Sequence, residues 1–563
     1  MLLSLTSRAA DADTQFAVSV VPSDDLTLES PSSRDDSLST AQVEQMVRRA
    51  VDLIGGMQSI VSDTARLVVL KVNIGLPWEK RSGAITDDRV ARGVAILVHE
   101  AAPDARILIA EAAGGWSLPE HRESSPLPLW DDAWVDGFER AGHRATVEKL
   151  RARGADIDVI DLNFDEAYTL HPPDGGLATD TYDIAASILD ADVWINVPVA
   201  KTHGAKITCC MKNHFGILPG RLYGFSKSTG TDDHPPMPHS ARIVDEAFID
   251  LWRLTQVDLN VVDMISGTER GPFTEHTHRM NIVMAGRDPV ATDLVVAKLM
   301  GFNPDDLETA DLAWQHGLGP RWLENVDVRG GDPTALSQRW VKGWYWYGEG
   351  SEWREHSMYG KGPRRWTLLG PVPKNHLFED AQLEALSPTP GADDWSPTVW
   401  FGHDKIDLDD YYNDPVRCAV YGYTEFTMPQ ADSVHYWMGA DERLQVWIDG
   451  QPIYDTQDDP AMGRRRRHEL GMVRLSGYLE AGDHRLLIRA DQNRGRFEFS
   501  FNVVEPIYDE RFAGNTYPGL RYHPAGEDAP IETHVTSSDD DDNNLEGALV
   551  AAIGDLPQIA HPD

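Results

Sequence analysis

In the first half of the chain, apolar positions alternate between two periods. Ser39, with Gln42 three residues on, forms a capping-box pattern; Val43, Met46, Val47, Ala50 and Ile54 then share one helical face, and Gly55-Gly56 ends it. Leu67–Leu70 is a continuous apolar run, as expected for a strand covered on both faces. Thr86 is placed to cap a helix carrying Val90, Val94, Leu97 and Val98, and Ile107–Ala110 reads as the next strand. The series continues with a helix over Ala133–Arg153, strands at Ile157–Leu162 and Val193–Val197, and a helix at Ile243–Leu254. Strands Leu259–Met264 and Ile282–Ala285 and a helix Val290–Met300 close it. Strand–helix alternation predicts an α/β domain over residues 39–333, with a mainly parallel sheet, flanking helices and polar residues gathered at strand C-terminal ends.

The pattern changes on either side of this domain. Residues 1–38 are rich in Ser, Asp, Thr and Pro and read as a tail with one short strand near Phe16–Val21. Residues 334–363, including Trp344-Tyr345-Trp346-Tyr347, form an aromatic connector. From 364 to 506 the period becomes two: Leu444, Val446 and Ile448 alternate into an Asp449-Gly450 hairpin turn, and Phe497, Phe499 and Phe501 repeat the pattern. This predicts an antiparallel, jelly-roll-like β-sandwich. Residues 507–563 read as an acidic tail.

Charge narrows the partners. The chain has 563 residues and a formal net charge of −39, which disfavours nucleic acid and anionic membranes as partners. It has no signal-peptide core, twin-arginine signal or apolar window of about 20 residues, so the expected location is cytoplasmic, away from membranes. Three cysteines, Cys209, Cys210 and Cys418, provide neither a disulfide framework nor an iron–sulfur motif.

Against this acidic background, lysines cluster. Lys201, Lys206, Lys212 and Lys227 follow the Val193–Val197 strand within one segment that also holds His203, Asn213 and His214. Ammonium groups and an amide after a buried strand suit a phosphate or carboxylate ligand, and the imidazoles suit proton transfer. The same residues also fit a solvated turn. Lys71-Val72-Asn73-Ile74-Gly75 and Glu111 with Gly114-Gly115 occupy equivalent places after two other strands. His203, His214, His234 and His239 are candidate ligands for a divalent metal, although they lack a recognised ligand spacing.

The order of these motifs resembles a known family. Lys71–Gly75, Ala191–Lys201 with Thr202-His203, Lys212–Gly216, Asp263 with Gly271-Pro272, Asp288–Asp293 and Gly317-Leu318-Gly319 are similar to the bacterial and archaeal family catalogued as domain of unknown function 362. Val72 stands where that family commonly has Pro. The resemblance implies that Lys71, Asn73, Lys201, His203, Lys212 and Asn213 form one site, with Asp263 and Asp293 as acidic candidates and Asp288 as a helix cap. Many members carry ferredoxin-type cysteine motifs, which leans the class toward oxidoreductases; none is present here. Arg365–Pro371 and Leu444–Gly450 resemble accessory β-sandwich domains of bacterial polysaccharide-processing proteins.

Two functions follow as expectations. In the first, an enzyme binds an anionic small molecule through Lys71, Lys201 and Lys212, orients it with Asn73, Asn213 and Glu111, and moves protons through His203 or His214. In the second, the α/β domain only holds its ligand, and the sandwich engages a protein or a glycan stacked on Trp400, Trp437 or Trp447, although burial in the sandwich core and connector interface is the favoured reading of these tryptophans.

Overall fold

The computed structural model describes residues 16–123, 134–203, 206–227, 230–232, 234–237, 244–343, 360–379, 382–383, 386–459, 468–523 and 531–533. The chain divides into two compact units, Met1–Gly348 with Asn544–Asp563, and Glu349–Asn543.

The first unit is built on an eight-stranded sheet. In chain order its strands are β1 (Ala17–Pro22), β2 (Leu67–Val72), β3 (Arg106–Glu111), β4 (Asp156–Asp161), β7 (Val193–Val197), β10 (Leu259–Thr268), β11 (Thr277–Gly286) and β12 (Asp327–Gly330). Two short ribbons, β5 (Ala167–Leu170) with β6 (Tyr182–Ala185) and β8 (Lys201–His203) with β9 (Lys206–Thr208), lie outside it. The sheet order is β12-β1-β11-β10-β7-β2-β3-β4. Every pairing is parallel except the two that β11 makes with β1 and β10. From β2 the chain runs outward through β3 to β4, and β7 returns on the other flank of β2. The strand order therefore reverses between β2 and β7, and α/β folds place ligands at the carboxyl ends of strands beside such a reversal.

The predicted helices cover this sheet, with local differences. The Thr40–Leu53 helix has the Ser39–Gln42 capping box and buries Val43, Met46, Val47 and Ala50. Asp87, not Thr86, caps the Asp88–Ala101 helix. Thr86 instead accepts a hydrogen bond from the Asn73 N–H and donates one to the Val197 carbonyl, tying β2 to β7. The long helix expected over 133–153 is two pieces, Gly137–Arg140 and His143–Arg151. Gly142 separates them at φ +84, a left-handed conformation that glycine adopts without strain. Asp288 caps the Pro289–Leu299 helix, with its side chain accepting the Ala291 N–H.

The expected N-terminal tail is corrected over 16–38. Strand β1 is buried along its whole length and sits between β11 and β12. The strand expected near Phe16–Val21 is present, but its partners are too distant in sequence for the local pattern of Ala17, Val18, Val20 and Val21 to show that both its faces are covered. The start of the connector also belongs to this unit, where Trp340 is buried and stacks on His278 with ring centroids 4.9 Å apart. Trp344–Tyr347, residues 1–15 and the predicted C-terminal end lie outside the described residues.

The second unit is a sandwich of two largely antiparallel sheets, of eight and four strands. Their facing side chains share one core that includes Trp366, Leu368, Val420, Val434, Ile488, Phe499 and Phe501. The Asp449-Gly450 hairpin has positive φ at both residues, as a two-residue primed turn requires. The sandwich runs beyond 506. Tyr517 and Leu520 join the core, Arg521–His523 pairs with Cys418–Met428, and Ile531–Thr533 pairs with Thr398–Trp400. Trp437 and Trp447 are buried, so neither can present a ring to a sugar, and Trp400 is only partly exposed.

If β1 is integral to the first unit, Val20→Asp places a charge in its core. The variant is expected to lose about 3 kcal/mol or more of stability, read as a lower midpoint in denaturant unfolding. A tail residue would tolerate the change within experimental error.

Candidate functional site

At the carboxyl end of the sheet, three adjacent strands carry polar residues at the same level. Asn260 of β10 is in register with Asn196 of β7, and Asn196 with Lys71 of β2. All three are completely buried. A polar group in such a place costs free energy unless it is paired, and each of these is. Asn196 Nδ2 donates to Asn260 Oδ1 at 2.9 Å and to the Cys210 carbonyl at 3.0 Å. Asn213 Nδ2 donates to Asn196 Oδ1 at 2.7 Å. Asn213 Oδ1 accepts from Lys71 Nζ at 3.1 Å and from Asn73 Nδ2 at 3.0 Å. Asn73 Oδ1 in turn accepts from Lys201 Nζ at 2.8 Å. One amide chain thus runs from mid-sheet to Lys201.

Lys71 anchors this chain. Its ammonium lies 2.8 Å from Glu111 Oε1, with both side chains buried, and also donates to the Val72 carbonyl. With Asn213, these partners account for all three of its N–H groups. Glu111 Oε2 accepts the Ile74 N–H at 2.6 Å. The pair is sealed by Gly216, whose carbonyl accepts the Ala112 N–H. A Cβ at Gly216 would overlap both Lys71 Nζ and Glu111 Oε1, so only glycine fits there. Burial lowers the Lys71 pKa, and Glu111 opposes that shift.

Two further buried lysines flank the pair. Lys201, at the start of β8, donates to Asn73 and, at 2.7 Å, to the Ala84 carbonyl, and its ammonium sits over the Phe273 ring. Burial pulls its pKa down to about 7, with Glu111 opposing and Lys212 and Lys71 reinforcing the shift. Lys227 donates to Asn163 Oδ1 at 2.8 Å. Burial lowers it to about 7 as well, against the fields of Glu111 and Asp161. Among the described residues, the hydrogen-bond partners of Lys201 and Lys227 leave N–H groups unused on both. Lys212 is partly exposed, packs against Phe215 and Phe248, and is lowered by burial to about 8.

The structure therefore brings together Lys71, Asn73, Glu111, Lys201 and Asn213 from the predicted set. It separates others. The carboxylate of Asp263 accepts the Asp87 and Ile265 N–H groups beside Arg89, and burial raises its pKa to about 7. Asp293 accepts the Cys210 and Met211 N–H groups at 2.8 and 3.0 Å. His214 directs Nδ1 at the Cys210 and Met211 carbonyls and packs edge-on against Trp194; burial lowers it to about 4. His203 is buried in β8. His234 pairs with Asp183 of β6 at 2.8 Å and packs edge-on against Tyr223. His239 lies outside the described residues.

Among the described residues, His203, His214 and His234 do not form a group with metal-ligand geometry. Among the described residues, the group with metal-ligand geometry is Cys209, Cys210 and Asp293. His214 and His234 are held by local bonds on different elements, which spacing in a sequence does not reveal.

Asn196, Asn260, Asn163 and Lys227 were not among the predicted site residues. A signal for the first two was available: each asparagine interrupts a strand that is otherwise apolar at its level, Val193–Val197 or Leu259–Met264. Asn163, in the short 3-10 helix Leu162–Phe164, gives no such signal, whereas Lys227 belongs to the lysine cluster of the sequence.

Residues 68–298 match the family model described as Domain of unknown function (DUF362). The match takes in Lys71, Glu111, Lys201, Asn213 and Lys227, so the amide chain and its lysines all lie within the DUF362 segment. No curated protein matches the chain in sequence. Among solved structures, the lactate racemase apoprotein from Thermoanaerobacterium thermosaccharolyticum aligns at 12% identity with a TM-score of 0.25, covering 50% of this chain and 55% of that one. A β-glucuronidase from Faecalibacterium prausnitzii aligns at 18% identity and TM-score 0.15, over 23% of this chain and 20% of its own. A β-glucosidase from Kluyveromyces marxianus aligns at 10% identity and TM-score 0.18, over 26% of this chain and 18% of its own. The chain thus spans about a fifth of the length of those two glycosidases. No helix among the described residues is long and apolar enough to cross a membrane.

The ion pair makes a sharp stability prediction for the DUF362 segment. Lys71→Met leaves Glu111 as an uncompensated buried charge, and should destabilise by about 3–5 kcal/mol. The double variant Lys71→Met/Glu111→Gln removes both charges and should recover part of that loss in the same unfolding measurement. A non-additive cycle is the expected result.

Proposed function

We propose that the DUF362 segment binds a small anion, a carboxylate or phosphate, beside the carboxyl ends of β2, β3 and β7, and that Lys201 exchanges a proton with it. The observation that carries this reading is the charge balance around Glu111. Lys71, Lys201 and Lys227 are buried, and both Lys201 and Lys227 feel Glu111 and Lys71. Glu111 is already paired with Lys71. An anionic ligand would supply the missing negative charge and accept the unused N–H groups of Lys201 and Lys227. In this reading Lys71 is a positioning residue, because its three N–H groups are taken. Asn213 and Asn73 transmit that position to Lys201.

A lysine brought down to about 7 is partly neutral at physiological pH, so Lys201 can accept a proton as well as donate one. This supports an enzyme acting on the bound anion. The alternative is a site that binds without turnover, with partner recognition by the sandwich. It is favoured by the placement of His214, whose Nδ1 is engaged by backbone carbonyls rather than by the amide chain.

Calorimetry with inorganic phosphate, sulfate and malonate tests the reading. Binding of at least one of them is expected, and Lys201→Ala or Lys227→Ala should weaken it tenfold or more, about 1.4 kcal/mol. Both variants should remain folded, with thermal midpoints lowered by the lost buried hydrogen bonds. The anion favours protonated Lys201, so binding takes up a proton above the free-site value of about 7. Affinity should therefore be flat below that value and fall by up to about tenfold per pH unit above it. Unchanged affinity in a folded Lys201→Ala variant would remove the assignment.

A further inference from the structure

Behind the amide chain lies a second cluster of chemistry-bearing groups. Cys209 and Cys210 follow β9, and Cys210 opens the short Cys210–Asn213 helix. Asp293 comes from the middle of the Pro289–Leu299 helix, whose residues are almost all buried. All three side chains are buried, and one ligand atom from each lies within 4.8 Å of the others. The two Sγ atoms are 3.9 Å apart. At a zinc–sulfur distance of about 2.3 Å, sulfurs so spaced subtend roughly 115° at the ion, close to the tetrahedral angle. The hydroxyl of Thr208, the residue before Cys209, is buried and has no hydrogen-bond partner.

We propose that Cys209, Cys210 and Asp293 form a binding site for a thiophilic divalent cation of the zinc class. Two sulfurs and one carboxylate oxygen supply three ligands, and the fourth position is left to water or a hydroxyl. Two thiolates select a borderline-soft ion over magnesium or calcium, which prefer all-oxygen sites. Binding releases the two thiol protons to solvent and requires no oxidant or reductant. Because the cluster is buried, the ion enters as the chain folds.

The position of the site gives the ion a structural consequence. The Cys210 carbonyl accepts from Asn196 Nδ2, and Asp293 holds the first N–H groups of the helix that ends at Asn213. An ion on these ligands would fix the turn that aims Asn213 at Lys71 and Asn73. This role is independent of what the lysines bind.

The test uses the reduced full-length chain, refolded without air in the presence of cadmium as a spectroscopic stand-in for zinc. A cadmium–thiolate charge-transfer band is expected, saturating at one ion per chain, together with zinc at the same stoichiometry in protein purified without chelator. Cys209→Ser and Cys210→Ser should abolish the band, Asp293→Asn should weaken cadmium binding tenfold or more, and Cys418→Ser should leave it intact. Absence of the band in the folded parent chain would overturn the proposal. So would a band that persists unchanged in the Cys209→Ser/Cys210→Ser double variant.

Discussion

The Lys71–Glu111 ion pair is the constraint around which the first unit is arranged. Two opposite charges removed from water are stable only if their geometry is close and their remaining hydrogen-bonding capacity is filled. That requirement reaches several elements at once. Lys71 needs the carbonyl of Val72 and the amide of Asn213, Glu111 needs the Ile74 N–H, and Gly216 must stay bare for the chain to pass over both. Strands β2 and β3 and the 3-10 helix His214–Ile217 are thereby locked into one relative position. The amides of Asn196 and Asn260 extend the same arrangement across the sheet.

Because Lys71 is saturated, the buried cations divide into two kinds. Lys71 belongs to the scaffold, whereas Lys201 and Lys227 sit beside it with donors to spare. A low-dielectric interior makes each of them sensitive to the charge of its neighbours. Phe273 covers Lys201 from one side, which keeps its charge away from water and preserves its responsiveness to a ligand.

Much of this was legible in the sequence. Long apolar runs and helical periodicity identified strands and helices of the first unit, and the family resemblance, with Lys71 and Lys201 near the ends of two predicted strands, led to the expectation that they share one site. What escaped had physical causes. The short strand at β1 was expected but its place inside the sheet was not, because its partners β11 and β12 lie far along the chain and a local apolar run does not reveal them. Asp263, His214 and His234 have residue types suited to chemistry, yet each is committed to local hydrogen bonds that depend on three-dimensional neighbours. Trp437 and Trp447, by contrast, fill the sandwich as their usual burial favours.

The pairing of β1 has a consequence for biosynthesis. Ser19 of β1 bonds to Ala285 of β11, 266 residues further along the chain. Strand β1 therefore cannot find this partner until β11 has been translated. Until then β10, and later β11, has an open flank, and the nascent N-terminal segment is unpaired. Polar, proline-containing residues immediately after β1 suit such a wait, since they discourage premature association of that hydrophobic stretch.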